Sequence, residues 1–348
     1  MDATSDIISD VLRAVRLTGA IFFDVDASAP WASQAPPAHE LAPLVIPGAQ
    51  SVLEYHVITR GTCWAAILGE EDNFVQLSPG SVVVFPQGHP HVLSSAPQMP
   101  TTKFDMRPYH PTARRAPPPY RLQTQGTGEA TQLICGFLGF DSKPFNPLID
   151  SLPKMLHIAD GYSGDGWLGN LIRATVNESR QPRLGSSSIL PKLSELIFVE
   201  VIRRHMEDLP EQSVGWLAAL RDPQIARALT LIHEDVRRAW DLASLAKAVG
   251  MSRTLLVERF TERLGVAPMT YVMNWRMQLA AGMLAAGAMT IARIAAEIGY
   301  ESEAAFSRAF KRTTGMPPAA WRAASSRTAA TDAALDKEPL ALAVGEVR

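Results

Sequence analysis

Residues 241–321 carry one structural unit twice. Leu242, Leu245, Ala246 and Val249 reappear as Ile291, Ile294, Ala295 and Ile298 at an offset of 49. One residue is then inserted, and Leu256, Phe260, Gly265, Pro268 and Tyr271 reappear as Phe306, Phe310, Gly315, Pro318 and Trp321 at an offset of 50. A repeat of this kind is a duplicated supersecondary unit. In each copy the apolar spacing i, i+3, i+4, i+7 predicts a helix with one buried stripe. Asp241 and Thr290 suit its N-cap, and Gly250 and Gly299 its C-terminal turn. A second helix follows within a few residues, so the two must cross steeply. The unit is a helix-turn-helix, which implies sequence-specific DNA binding.

The second helix of copy two has two unlike halves. Ala305, Phe306, Ala309, Phe310 and Thr313 cover one, and Glu303, Ala304, Ser307, Arg308, Lys311 and Arg312 cover the other. The Arg308 guanidinium can pair bidentately with guanine, and the neighbouring cations suit phosphates. Copy one is less basic, with Thr254, Leu255, Glu258, Arg259 and Glu262 outward. Glu258 aligns with Arg308 and can accept from cytosine; alternatively Glu258 and Glu262 pair with nearby arginines. Residues 268–285 read as one connecting helix of roughly 27 Å at about 1.5 Å per residue. Adjacent major grooves on one DNA face lie about 34 Å apart, so such a connector suits two readers in adjacent grooves.

These residues resemble the AraC/XylS family of bacterial transcription regulators, from Asp222 to about Arg322, most closely over residues 291–322. The resemblance implies base contacts from Thr254, Val257 and Glu258 in the first reader and from Glu303, Ala304, Ser307 and Arg308 in the second. Arg253, Arg259, Lys311 and Arg312 are expected to hold phosphates. Val257 departs from the polar or aromatic residues that the family often carries, and it can touch only apolar groups such as a thymine methyl.

The net charge of −2 conceals an asymmetry. Residues 222–327 hold 14 Lys and Arg against 9 Asp and Glu, whereas the remainder holds 19 against 26. The basic part coincides with the repeats, as phosphate binding requires. Two cysteines exclude a disulfide framework and fit a reducing cytosol. No basic, apolar leader opens the chain, and no run reaches the roughly 18 apolar residues of a membrane helix. A cytoplasmic protein with no membrane partner is expected.

Upstream, residues 6–17 read as an amphipathic helix. Then short β-branched runs alternate with Pro and Gly: residues 51–59, 63–68, 73–77, 81–85, 91–94 and 132–140. Many short strands with frequent turns predict a barrel or jelly roll. Residues 113–119, with three consecutive prolines, predict an exposed loop. Gly80, Pro86, Gly88 and His91 fit the cupin pattern G-x5-P-x-G-x2-H, and Glu54 and Gly61 fit the end of the other cupin motif. The resemblance spans about residues 20–140 and implies the cupin-sensor branch of the AraC/XylS family. Metal cupins use three His and one Glu; here Gly48 and Gln50 stand where two histidines are usual. His56 and His89 lie near Glu54 and His91, but strand alternation is expected to turn them away. No metal site and no cofactor are expected.

In such proteins the barrel is an effector domain. Trp31, Glu54, Trp64, Phe85 and His91 are the pocket candidates, for an effector that the sequence does not identify. Related regulators include ones that respond to reactive chlorine or oxygen species, and Cys135 resembles a cysteine in those proteins. Cys63 and Cys135 are therefore redox candidates, against the plainer reading that both are small buried residues. Residues 168–176 and 189–206 read as helices, the second with a wide apolar stripe suited to packing and to a second subunit. Residues 210–219 resemble a linker.

The expected fold class is α+β in two domains: an N-terminal cupin-like β-barrel or jelly roll with flanking helices, and a C-terminal all-α domain with two helix-turn-helix units joined by a long helix. The expected boundaries are 1–145 for the sensor, 146–219 for a helical linker and dimerisation region, 220–326 for DNA binding and 327–348 for a disordered tail. The expected function is a dimeric DNA-binding transcription regulator of promoter DNA, an activator that contacts RNA polymerase, controlled by a small-molecule or redox effector. The rival is a cupin oxygenase or isomerase with an appended DNA-binding domain; the missing histidine pair argues against it.

Overall fold

The computed structural model describes residues 6–335 except 71, 110–117, 125, 160 and 162–165, and for residues 21, 22 and 327–335 it describes the backbone alone. The chain opens with α1 (Ile7–Ala14), whose first turn is capped by the Asp6 carboxylate accepting from Ser9 N–H. There follow β1 (Thr18–Ser28), β2 (Ala32–Ala35), α2 (Ala38–Val45), β3 (Ser51–Arg60), β4 (Cys63–Ile67), β5 (Val75–Leu77), β6 (Val82–Phe85) and β7 (His91–Ser94). After a short 3-10 turn come β8 (Tyr120–Thr124), β9 (Ala130–Phe140), α3 (Pro147–Asp150) and β10 (Leu156–Ile158). The strands make two sheets, ordered β10-β6-β3-β9-β1-β8 and β2-β7-β4-β5.

The central strands β3, β6 and β9 of the larger sheet are buried on both faces, and alternation decides which side chain goes where. Leu53, Tyr55 and Val57 of β3, Val82 and Val84 of β6, and Ile134 and Leu138 of β9 join one core. Val52 and Ile58, Val83 and Phe85, and Leu133, Cys135 and Phe137 join another, together with Cys63, Ala65 and Leu93 from the smaller sheet. The second core is the interior of a two-sheet sandwich, as the cupin resemblance implies. The first lies beneath helices.

Those helices are α4 (Trp167–Arg180) and α5 (Ser186–Asp208). In α5, Leu190, Ser194, Ile197, Phe198, Val201 and Ile202 are buried. Their spacing of three and four residues forms one helical stripe. Tyr55 reaches out of the sheet to Ser194, with 2.6 Å between the two hydroxyl oxygens.

The remaining elements are α6 (Trp216–Ala219), α7 (Pro223–Glu234), α8 (Leu242–Ala248), α9 (Arg253–Leu264), α10 (Pro268–Ala286), α11 (Ile291–Glu297), α12 (Glu303–Thr314) and α13 (Pro318–Leu335). The two helix-turn-helix units differ in how they are anchored. Leu245, Leu256, Phe260, Tyr271 and Trp275 of the first unit belong to the same continuous core as α1, α5 and the sheet. Ile294, Phe306, Phe310 and Trp321 of the second pack on Met277, Ala281 and Leu284 of α10 in a core of their own. A buried glutamine marks the seam: Gln278 on α10 accepts from Phe145 N–H at 3.0 Å.

Two sequence expectations change. Residues 210–219 are not a free linker, because Trp216 is buried and its indole N–H donates to the Tyr271 hydroxyl at 2.8 Å. The stretch expected as an unstructured tail is helical as far as Leu335. Its alanine-rich composition gives a reason, since alanine has the highest helix propensity. Residues 336–348, and most of the proline loop, lie outside the described residues.

His233 stacks on Trp275, with ring centroids 4.1 Å apart, and its Nε2 lies 3.0 Å from the Tyr271 hydroxyl. Burial lowers its pKa to about 4. Between the ordinary value near 6.5 and that value the unfolded chain binds the proton first, so stability falls as pH falls. Denaturant titrations at pH 7 and pH 5 should show about 2 kcal/mol of loss from this group. The loss should shrink in His233→Phe; an unchanged pH difference in that variant would remove His233 as the cause.

Candidate sensor cavity and DNA-reading surface

Between the two sheets lies a cavity of about 410 Å³. Phe23, Leu41, Leu93, Leu133 and Phe137 supply apolar wall, and Glu54, His56, His91 and Cys135 converge on it as a polar group. Few, convergent polar groups in an apolar cavity are the usual pattern of a small-molecule site. A second cleft, of about 550 Å³, lies between the barrel and the last helices, lined by Arg16, Gln50, Asp141 and Trp321. Its buried carboxylate, Asp141, is already paired with Arg16 at 2.7 Å.

Of the five residues expected at the pocket, Trp31, Glu54 and His91 line it. Phe85 stands behind His91, stacked with centroids 3.5 Å apart and planes 8° apart. Trp64 does not reach the cavity, because its neighbours Cys63 and Ala65 point inward and alternation turns it outward. His56 was expected to face away and does not. It stands two residues after Glu54 on β3, and a period of two puts both on the same face. That spacing was the signal for it.

The polar group is tightly drawn. His56 Nε2 lies 2.9 Å from His91 Nε2, and His56 Nδ1 lies 2.9 Å from Cys135 Sγ. His91 Nδ1–H donates to the His89 carbonyl at 3.0 Å, which leaves a lone pair on Nε2 of the neutral ring. Glu54 Oε1 is 3.6 Å from His56 Nε2, and Oε2 is 3.7 Å from His91 Nε2. Both separations exceed a hydrogen bond, and Oε2 is buried without a hydrogen-bond partner. Burial pushes the Glu54 carboxyl up to about 8 and His91 down to about 4, and drives His56 well below its ordinary value. Desolvation disfavours every charged form here.

The cysteines were expected as redox candidates. Both are buried; burial raises the Cys63 thiol to about 12, and burial and the Glu54 carboxyl raise Cys135 well above its usual value. A reactive thiolate needs the opposite shift.

The two readers begin at matching caps. Ser252 Oγ accepts from Leu255 N–H and Ser302 Oγ from Ala305 N–H, each at 3.2 Å. Thr254 and Glu258 on α9, and Glu303, Ala304 and Arg308 on α12, are exposed, while Val257 and Ser307 are half-buried. Among the described residues neither Glu258 nor Glu262 enters an ion pair. Arg253, Lys311 and Arg312 are exposed. Arg259, also expected at a phosphate, is half-buried. Its guanidinium pairs with Asp222 and donates to Gln224 Oε1 at 2.6 Å, tying α9 to the start of α7.

Comparison with known proteins matches this geometry. Residues 6–207 match a family model described as Cupin, and residues 245–324 one described as a helix-turn-helix domain. A Streptomyces lividans protein named as an AraC-like transcription regulator is 32% identical over 274 residues, covering 79% of this chain and 88% of its own. The HTH-type transcriptional regulator AlkR of Acinetobacter baylyi is 28% identical over 327 residues, covering 92% and 99%. The RCS-specific HTH-type transcriptional activator RclR of Escherichia coli is 26% identical over 277 residues, covering 79% and 86%.

The turn that delivers His91 is crowded. Gly88 has φ of +64°, and a Cβ there would stand 2.1 Å from Ala38 Cβ and 2.7 Å from the Val52 carbonyl. Gly88→Ala should destabilise the barrel by about 2–4 kcal/mol through combined strain and overlap. A urea midpoint equal to that of the wild type would show that the turn relaxes freely.

Proposed function

The chain belongs to the AraC-like transcription regulators and binds DNA through its helix-turn-helix domain beneath an N-terminal cupin domain, and we propose that a small molecule in the cupin cavity controls how it reads a promoter. The observation that carries this reading is the pair of exposed reader helices, identically capped and joined by one 19-residue helix. In this reading Thr254, Val257, Glu258, Glu303, Ala304, Ser307 and Arg308 face bases, and Arg253, Lys311 and Arg312 hold phosphates. Arg259 serves α9 from within.

The effector is a small, largely apolar molecule with a hydrogen-bonding end. The apolar wall and the buried polar group of the cavity support this, and the raised thiols speak against a purely redox signal. The barrel acts as a sensor, not as an oxygenase or isomerase, in keeping with relatives named as regulators. The protein works as an activator, a role that the names of some relatives print, and acts on RNA polymerase in the cytoplasm. A homodimer forms through α5, where Ile189 and Leu196 are each 42% exposed beside the buried stripe. Sedimentation giving a strict monomer at micromolar concentration would remove the dimer. No described helix is long and apolar enough to cross a membrane.

Footprinting on the chain's own upstream region, at stated salt, tests the DNA reading directly. Two protected patches about one helical turn apart per subunit are expected. Arg308→Ala should cost about 1–3 kcal/mol on the operator and relax preference at one base. Equal losses on operator and random DNA would demote Arg308 to a phosphate contact.

A further inference from the structure

We propose that Glu54, His56 and His91 form a binding site for one divalent transition-metal ion, held at the inner end of the cupin cavity. The three offer one ligand atom each, all within 4.8 Å of one another. The two imidazole Nε2 atoms are 2.9 Å apart, and the carboxylate oxygens lie 3.6 and 3.7 Å from them. Ligands about 2.0–2.2 Å from one tetrahedral zinc are separated by roughly 3.3–3.5 Å. The observed triangle brackets that value, so small side-chain movements suffice.

Three features point to a ligand and not to a self-contained hydrogen-bond cluster. The first is Glu54 Oε2, which is buried without a hydrogen-bond partner while its residue is 7% exposed. A buried carboxylate oxygen left alone is costly, and a cation relieves it. The second is tautomeric. His91 Nδ1–H donates to the His89 carbonyl, so the Nε2 lone pair of a neutral ring points toward His56 Nε2. Backbone carbonyls orient metal-bound histidines in this manner. The third is Cys135, which sits 2.9 Å from His56 Nδ1, on the far side of that ring. There its sulfur accepts the Nδ1 proton and directs Nε2 inward, a supporting role and not a ligand's.

The set is not the one that the cupin motifs describe. Gly48 and Gln50 occupy the places where that pattern supplies a histidine pair, and His56 enters instead from two residues beyond Glu54. Two nitrogens and one carboxylate suit zinc and its borderline neighbours better than calcium or magnesium. Three protein ligands leave a coordination position on the cavity side, since all three residues line the cavity. The competing arrangement is a neutral relay from the Cys135 thiol through His56 to His91. It satisfies both rings and still leaves Glu54 Oε2 without a partner.

The test uses the full-length protein, stripped with a chelator and titrated with zinc against a chromophoric competitor. A cobalt titration, followed by visible absorption, reports the coordination number. One equivalent per chain is expected, with the absorption of a four- or five-coordinate ion. His56→Ala and His91→Ala should weaken zinc binding by more than about 100-fold, and Cys135→Ser by about 10-fold, as outer-shell changes do. Glu54→Gln keeps shape and volume; with the far-ultraviolet dichroism of the wild type, it should still lose at least about 10-fold. No zinc binding at micromolar concentration by folded wild-type protein would overturn the proposal. So would equal affinity in a folded Glu54→Gln variant, which would mean an adventitious surface ion only. These readouts involve no DNA, so failure here leaves the regulator reading untouched.

Discussion

In β3, Leu53, Tyr55 and Val57 point toward the helices, while Val52, Glu54, His56 and Ile58 point into the sandwich. The two-residue period of an extended chain makes this division, and most of the molecule follows from it. One face gives the helices something to cover. The other builds a cavity and places a carboxylate and an imidazole side by side within it. A slip of one residue would exchange the faces and put Glu54 and His56 under α5. Antiparallel pairing with both β6 and β9 holds the register, Glu54 lying opposite Phe85 and Phe137.

The covered face joins the cupin sandwich to the first helix-turn-helix. Leu53 and Tyr55, the α5 stripe, α1 and the first helix-turn-helix share one continuous apolar core. The second unit is attached chiefly through α10, whose inner residues Met277, Ala281 and Leu284 serve it. Close-packed interiors transmit displacement because their side chains have few alternative arrangements. A change at the cavity therefore has a packed route to the first reader through β3 and the helical layer. The second unit meets that core through α10, on which Gln278 accepts from Phe145 N–H as a polar fixed point.

The buried polar group has a different energetic logic from the core around it. Two imidazoles, a thiol and a carboxyl stand within a few ångströms, and burial pushes each toward its neutral form. An apolar cluster of the same volume would be cheaper to bury. Retaining these groups makes physical sense where something from outside completes them. The aromatic stack of Phe85 on His91 fixes the ring orientation in the meantime.

Much of the C-terminal half was legible in the sequence, because a repeat supplies its own alignment. The caps at Asp241 and Thr290 and the buried counterparts Leu256 with Phe306 and Phe260 with Phe310 follow from spacing along a single helix. The strands at 51–60 and 91–94 were equally legible from β-branched runs and flanking glycines. Other features depend on partners distant in the chain. Nothing near Trp216 says that it docks on Tyr271, fifty-five residues away, and nothing near Arg259 says that Asp222 and Gln224 will occupy it. The period of β3 puts Glu54 and His56 on one face, contrary to the expectation that alternation turns His56 away. That His91 from the other sheet and Cys135 from a neighbouring strand meet them there was decided by the packing of the sandwich. Local periodicity determines which way a side chain points, and only the tertiary structure decides what it finds there.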